Sequence, residues 1–269
     1  MNNTARIIVI AASLVLAATF VGWRAHAAHT RATVHFEIVK DPSRSSTDGC
    51  ETLIGLAEGA LTADGVSAKS TVTVLFLGDA ATAHEPILLG SYSIPFSTKV
   101  IEGRNGNRHR QTTLLKDLAA KCRTARATGI SPIFLGVKQA IADLRGKGCN
   151  TGSRCQLLVD SDLEENVEPG IKSRLNVPGG NLPPLPGLID NSDITVSFCG
   201  LAATTGQIVD ASGRVIQKLA ARDPNREDRL KSTWRSLFAA PDLVTFRPYC
   251  PATSDIADYI VGVNAAPQN

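Results

Sequence analysis

The stretch Thr71–Leu77 (TVTVLFL) is β-branched and apolar. That is the composition of a strand buried on both sides, which needs a layer of structure above and below it. Residues 32–39 (ATVHFEIV) form a second apolar run, ending at Lys40-Asp41. Between them, CETLIGLAEGAL places Leu53, Ile54, Leu56, Ala57, Ala60 and Leu61 at helical spacing. The same alternation continues downstream. Ile87–Ile94, with an internal glycine and Pro95 behind it, suits an edge strand. TTLLKDLAAKC (112–122) and PIFLGVKQAIADL (132–144) read as helices, the second with Pro132 suited to a first helical position. Gln156–Val159 and Ile194–Phe198 read as strands, and Leu243–Phe246 as a last short one. Residues 103–110 (GRNGNRHR) read as a polar loop, and Arg214–Ala240 as a long amphipathic region broken at Asp223-Pro224-Asn225. Within it, Trp234, Leu237 and Phe238 have the spacing of a core-facing stripe. Strands alternating with helices predict an α/β fold: a doubly wound, mostly parallel sheet flanked by helices.

The first 27 residues stand apart. Ile7–Trp23 is apolar apart from small or hydroxyl residues; Arg6 precedes it, and Arg24-Ala25-His26-Ala27-Ala28 follows. A basic start, an apolar run and an Ala-x-Ala site predict a signal peptide cut after Ala27. The run is also nearly long enough to remain as an N-terminal membrane anchor. Both outcomes export the remainder, with one domain expected over residues 28–264 and a disordered tail over 265–269. Cysteines at 50, 122, 149, 155, 199 and 250 form an even set, which in an exported chain predicts disulfides. Cys149 and Cys155 flank a short polar loop and can close it locally. The other four allow three pairings.

Of 269 residues, 43% are apolar and 20% charged, enough to build a core and too apolar for a disordered chain. There are 28 basic and 25 acidic residues; two arginines and no acid fall in 1–27, leaving a net +1 beyond them. A near-neutral chain offers no electrostatic footprint for nucleic acid. No Cys-x-x-Cys is present, and histidines 29, 35, 84 and 109 are scattered singly, so zinc-ligand spacing is lacking. Residues 176–188 (NVPGGNLPPLPGL) read as a stiff surface loop, the alternative being a polyproline docking segment through Pro183 and Pro186.

In open α/β sheets, ligands bind beyond the carboxyl ends of the strands. There the first strand delivers Asp41-Pro42-Ser43-Arg44-Ser45, and the QLLV strand delivers Asp160-Ser161-Asp162. Thr128-Gly129-Ile130-Ser131-Pro132 sits just before a helix. Alternate residues of an extended turn point the same way, so Asp41, Ser43 and Ser45 can converge. Carboxylate and hydroxyl oxygens without thiolate or imidazole suit a hard dication: Mg²⁺, or Ca²⁺ or Mn²⁺. Taken singly, the serines and Thr128 are also ordinary cap and turn residues.

Together these segments resemble the von Willebrand factor A (vWA) family. DPSRSS resembles its metal-ion-dependent adhesion site, VDSDLEE its later strand-end Ser-Asp, and SPIFLGVKQAI the segment carrying its third motif. The resemblance spans residues 32–250. It implies a metal held by Asp41, Ser43 and Ser45, with Asp162 contributing directly or through water, and with either Ser131 or Thr128 in the threonine position. Asp160 could compete with Asp162, although it continues the apolar run as a strand residue would. Where the family often has glycine after the strand-end aspartate, this chain has Leu163. The implied function is a non-enzymatic binding module whose protein partner offers an acidic side chain to the metal. The alternatives are a metal-dependent phosphoryl-transfer hydrolase using Asp160-x-Asp162, and a metal-free structural or assembly domain. For the hydrolase, no phosphate-cradling loop, dinucleotide turn or nucleophile elbow is present.

Overall fold

The computed structural model describes residues 32–41, 50–77 (except 62, 64, 65 and 68), 86–93, 103–124, 131–149, 153–176 (except 166), 184–201, 207–209, 215–218 and 224–261. Residues 1–31, Ser43, Ser45, Thr128, Pro183 and the 265–269 tail lie outside them.

The core is a six-stranded sheet. Its strands are β1 (Val34–Lys40), β2 (Thr71–Phe76), β3 (Ile87–Ser93), β4 (Arg154–Asp160), β5 (Ile194–Cys199) and β8 (Val244–Phe246), in the spatial order β3-β2-β1-β4-β5-β8. Every pairing is parallel except that of β2 with the edge strand β3. The apolar runs of β1, β2 and β4 are buried almost throughout because helices cover both faces. One face packs Phe36, Ile38, Val72 and Val74 against helices α1 (Cys50–Leu61), α2 (Gly103–Thr124) and α6 (Thr253–Val261). The other packs Val39, Leu157 and Val159 against α3 (Ile133–Gly146), α4 (Pro169–Asn176) and α5 (Pro224–Arg235). Trp234, Leu237 and Phe238 are buried in this second layer, as their spacing predicts.

The chain leaves β1 toward α1 on one face and leaves β4 toward α4 on the other. Strand order reverses between β1 and β4, so the loops after these two strands part there. That is the topological switch point, where open sheets place their ligands.

Two expectations are corrected. Residues 103–110 belong to α2 rather than to a loop. The apolar face of that helix begins near Leu114, and lengthening an existing helix avoids the cost of nucleating one, so weak formers such as Gly and Asn can extend it. Residues 214–240 break where expected, α5 starting at Pro224, a residue suited to a first helical turn, but ahead of the break lies a strand, β7 (Val215–Lys218), paired antiparallel with β6 (Gln207–Val209). Helices α4 and α6 come in addition to those expected.

Three disulfides are formed: Cys149–Cys155, Cys50–Cys122 and Cys199–Cys250. The first is the local closure expected. The second ties α1 to α2, and the third ties the end of β5 to the approach of α6.

Candidate metal centre

The sheet ladder determines how far β1 and β4 stay together. Lys40 and Asp160 are the last paired residues, and the Asp41 N–H still donates to the Asp160 carbonyl at 2.9 Å. The Ser161 N–H turns instead to the Cys199 carbonyl of β5. The Ser161 side chain reaches back, its Oγ donating to Asp41 Oδ2 at 2.8 Å. The loop after β1 and the loop after β4 are thus joined at the switch point by a buried hydrogen bond.

Of the residues expected in the site, Asp41, Ser131 and Asp162 are described, and all three are buried. Asp41 follows β1 directly, Asp162 lies two residues past β4, and Ser131 lies two residues ahead of α3, a helix packed on Val39 and Val159. A carboxylate has about four lone-pair positions, so accepting Ser161 does not exhaust Asp41 as a ligand. Asp162 Oδ1 accepts the Glu164 N–H at 3.0 Å, a local turn that orients its carboxylate.

Asp160, the competitor of Asp162, is the last residue of β4, as expected. It points to the α1 side of the sheet, where its Oδ2 binds Lys40 Nζ at 2.6 Å in a fully buried ion pair. The Asp160 carboxylate and the Cys199 and Cys250 sulfurs lie within 4.8 Å of one another. Both sulfurs are committed to a disulfide and the carboxylate to a lysine, so this trio does not suit a soft metal.

The loop carrying Asp162 is pinned at successive residues. Leu163 has φ of 64°, the left-handed region. Its N–H donates to Ser161 Oγ at 3.0 Å and its carbonyl accepts Trp234 Nε1 of α5 at 3.0 Å. Glu164 takes two bonds from Arg226, at 2.8 Å from Nε and 2.5 Å from a terminal nitrogen. That pairing raises the Arg226 pKa further, with the nearby Asp162 adding to the effect. Glu165 is buried, and desolvation raises its pKa although three backbone N–H groups oppose the shift. The sequence marks neither Ser161 as the link to Asp41 nor Glu164, Glu165, Arg226 and Trp234 as supports. Ser161 lies inside the Asp-Ser-Asp loop, where its hydroxyl is a visible signal; the others depend on contacts far apart in the chain.

The donor set fits a hard dication in kind: oxygens only, two acidic, one hydroxyl, from three separate loops.

No family model matches the sequence, and no curated protein matches it. Among solved structures, the pilus adhesin SpaC from Lactobacillus rhamnosus GG in its open conformation is similar, at 13% identity and a TM-score of 0.43 over 87% of this chain and 30% of that one. The present chain therefore corresponds to under a third of SpaC. An aerotolerance-related membrane protein from Bacteroides fragilis NCTC 9343 is similar at 13% identity and a TM-score of 0.37, over 87% of this chain and 100% of that one. The conserved hypothetical protein BatB from Bacteroides thetaiotaomicron gives 11%, 0.39 and the same coverages. At such distances, function has to be read from the site itself.

Proposed function

We propose that this protein is an exported, vWA-like binding module that engages a protein partner through a divalent cation, Mg²⁺ or the related Ca²⁺ or Mn²⁺. Asp41, Ser43 and Ser45 hold the cation from the loop after β1, Asp162 from the loop after β4, and Ser131 or Thr128 from the segment before α3. The partner supplies a Glu or Asp carboxylate as a further oxygen ligand. The module is not an enzyme. The observation that carries this reading is the Ser161–Asp41 hydrogen bond at the switch point, which draws the Asp41 and Asp162 loops into one neighbourhood. Left-handed backbone at Leu163, at the glycine position of the vWA pattern, supports the same alignment of Asp162.

Residues 1–27 act as a signal peptide or as an outward-facing membrane anchor, residues 28–264 form the single binding domain, and 265–269 are a tail. Three disulfides agree with an oxidising destination. Among the described residues, no helix is long and apolar enough to cross a membrane. The pairing of Asp160 with Lys40 favours the binding module over the hydrolase alternative, which would use Asp160 with Asp162. Elemental analysis of the purified domain separates the binding module from a metal-free assembly domain.

The test is thermal unfolding with Mg²⁺ and with chelator. The unmutated domain is expected to melt higher with Mg²⁺, and Asp41→Ala to fold yet melt alike in both. Identical melting of the unmutated domain in the two conditions sinks the proposal.

A further inference from the structure

Helix α3 begins without a side-chain cap of its own. Pro132 holds the N-cap position, with φ of −81° and ψ of 56°, and makes no side-chain cap hydrogen bond. The exposed N–H groups of a first helical turn need acceptors. Here the acceptor comes from another loop: Glu165 Oε2 takes the Phe134 N–H at 2.8 Å. The other oxygen, Oε1, takes the N–H groups of Val167 at 2.7 Å and Glu168 at 3.1 Å, just ahead of α4. Glu165 is 3% exposed, so water does not compete for these bonds. A carboxylate at a helix N-terminus is also favoured by the helix dipole.

Phe134 lies three residues beyond Ser131, and Glu165 lies three residues beyond Asp162. The bond between them therefore joins the segment that carries Ser131 to the loop that carries Asp162. We propose that Glu165 is a positioning residue for the cation site, fixing the separation of Ser131 and Asp162 by capping α3 from the Asp162 loop. This rests on the cation-binding reading above. Glu165 touches no cation itself; it prevents the two donor-bearing segments from moving independently. Outer partners of this kind affect metal affinity through the ligands they orient.

The experiment is calorimetric titration of metal-free protein with MnCl₂, comparing the unmutated chain, Asp41→Ala, Glu165→Gln and Asn191→Ala. Glutamine keeps the shape but replaces one acceptor oxygen with an amide NH2 group, which can only donate, so one side of the bridge is lost. Glu165→Gln is expected to bind Mn²⁺ roughly tenfold or more weakly. Asn191 bridges the Ala240 backbone through both its amide atoms, away from the site, so its alanine variant is a control for general destabilisation. It should melt lower without metal yet bind Mn²⁺ as the unmutated chain does. Unchanged affinity in Glu165→Gln overturns the positioning role while leaving the cation site standing. No Mn²⁺ binding by the unmutated chain overturns both together. A second measurement needs no variant: hydrogen exchange at the Phe134 and Val167 amides should slow together when Mg²⁺ saturates the domain. Unchanged exchange at both counts against the role.

Discussion

The hydroxyl of Ser161 donates to Asp41 Oδ2 at 2.8 Å and accepts the Leu163 N–H at 3.0 Å, so one buried side chain couples the end of β1 to the turn after β4. Ser161→Ala removes one hydrogen bond from the buried Asp41 carboxylate and the side-chain acceptor of the Leu163 amide. Removing a partner from a buried polar group costs about 1–3 kcal/mol. Urea denaturation of metal-free protein should show a loss of that size. A loss within a few tenths of a kcal/mol would mean that the two loops hold together without this link.

Leu163 sets two effects against each other. Left-handed backbone costs a non-glycine residue about 1–2 kcal/mol, which Leu163→Gly would relieve. Its side chain is completely buried beside α4 and α5, and removing a buried leucine costs about 2–5 kcal/mol. Burial wins on these magnitudes, so Leu163→Gly is expected to be less stable by about 1–3 kcal/mol in chemical denaturation. A more stable glycine variant would show that strain dominates there.

Much of this architecture is legible in the sequence because burial on both faces leaves a composition that polar or half-exposed strands do not share. β1, β2, β4 and β5 are found within a residue or two of the expected bounds, and α1 at its expected bounds. The Gly103–Arg110 segment reads as a loop because its residues report their own weak propensity, while the apolar face that stabilises the helix lies further along, at Leu114 and beyond. Helix α6 did carry a signal: Ile256, Tyr259 and Ile260 have helical spacing and are buried. At the site, Asp41 and Asp162 stand out as acidic residues at strand ends. Glu165 does not, because its role depends on a bond to Phe134, 31 residues earlier, that only the packing of α3 beside β4 creates.

The disulfides should contribute unequally. Cys50–Cys122 spans 72 residues and Cys149–Cys155 spans 6. Restricting the unfolded chain stabilises by about 4 kcal/mol for the longer loop and about 2 kcal/mol for the shorter. The double variant Cys50→Ala/Cys122→Ala is therefore expected to lose about 2 kcal/mol more than Cys149→Ala/Cys155→Ala, measured by denaturant midpoints at matched slopes. Equal losses would place the stabilisation in native packing rather than in loop closure.

Glu37 lies in the middle of β1 with no exposed surface, four residues before Asp41. Its Oε1 accepts from Lys147 Nζ at 3.1 Å, and the same ammonium binds Thr73 Oγ1 and Asp143 Oδ2, each at 2.7 Å. Oε2 accepts no hydrogen bond; when protonated it donates toward Asp143. Desolvation, then that bond to Asp143, raises the Glu37 pKa from 4.5 to about 9, against the pull of Lys147. The proton bond from Glu37 correspondingly lowers the Asp143 pKa. Between pH 4.5 and about 9, the native protein holds a proton that the unfolded chain has released. The stability tied to this group is therefore complete below pH 4.5, falls as pH rises, and levels off above about 9. The slope approaches about 1.4 kcal/mol per pH unit for one proton. Glutamine is neutral at every pH and can still accept from Lys147 and donate to Asp143. Glu37→Gln is expected to flatten the profile, gaining more stability at pH 8 than at pH 5 when ΔG of unfolding is measured across that range. Parallel profiles for the two proteins would mean that Glu37 is ionised in the fold, balanced by Lys147 alone.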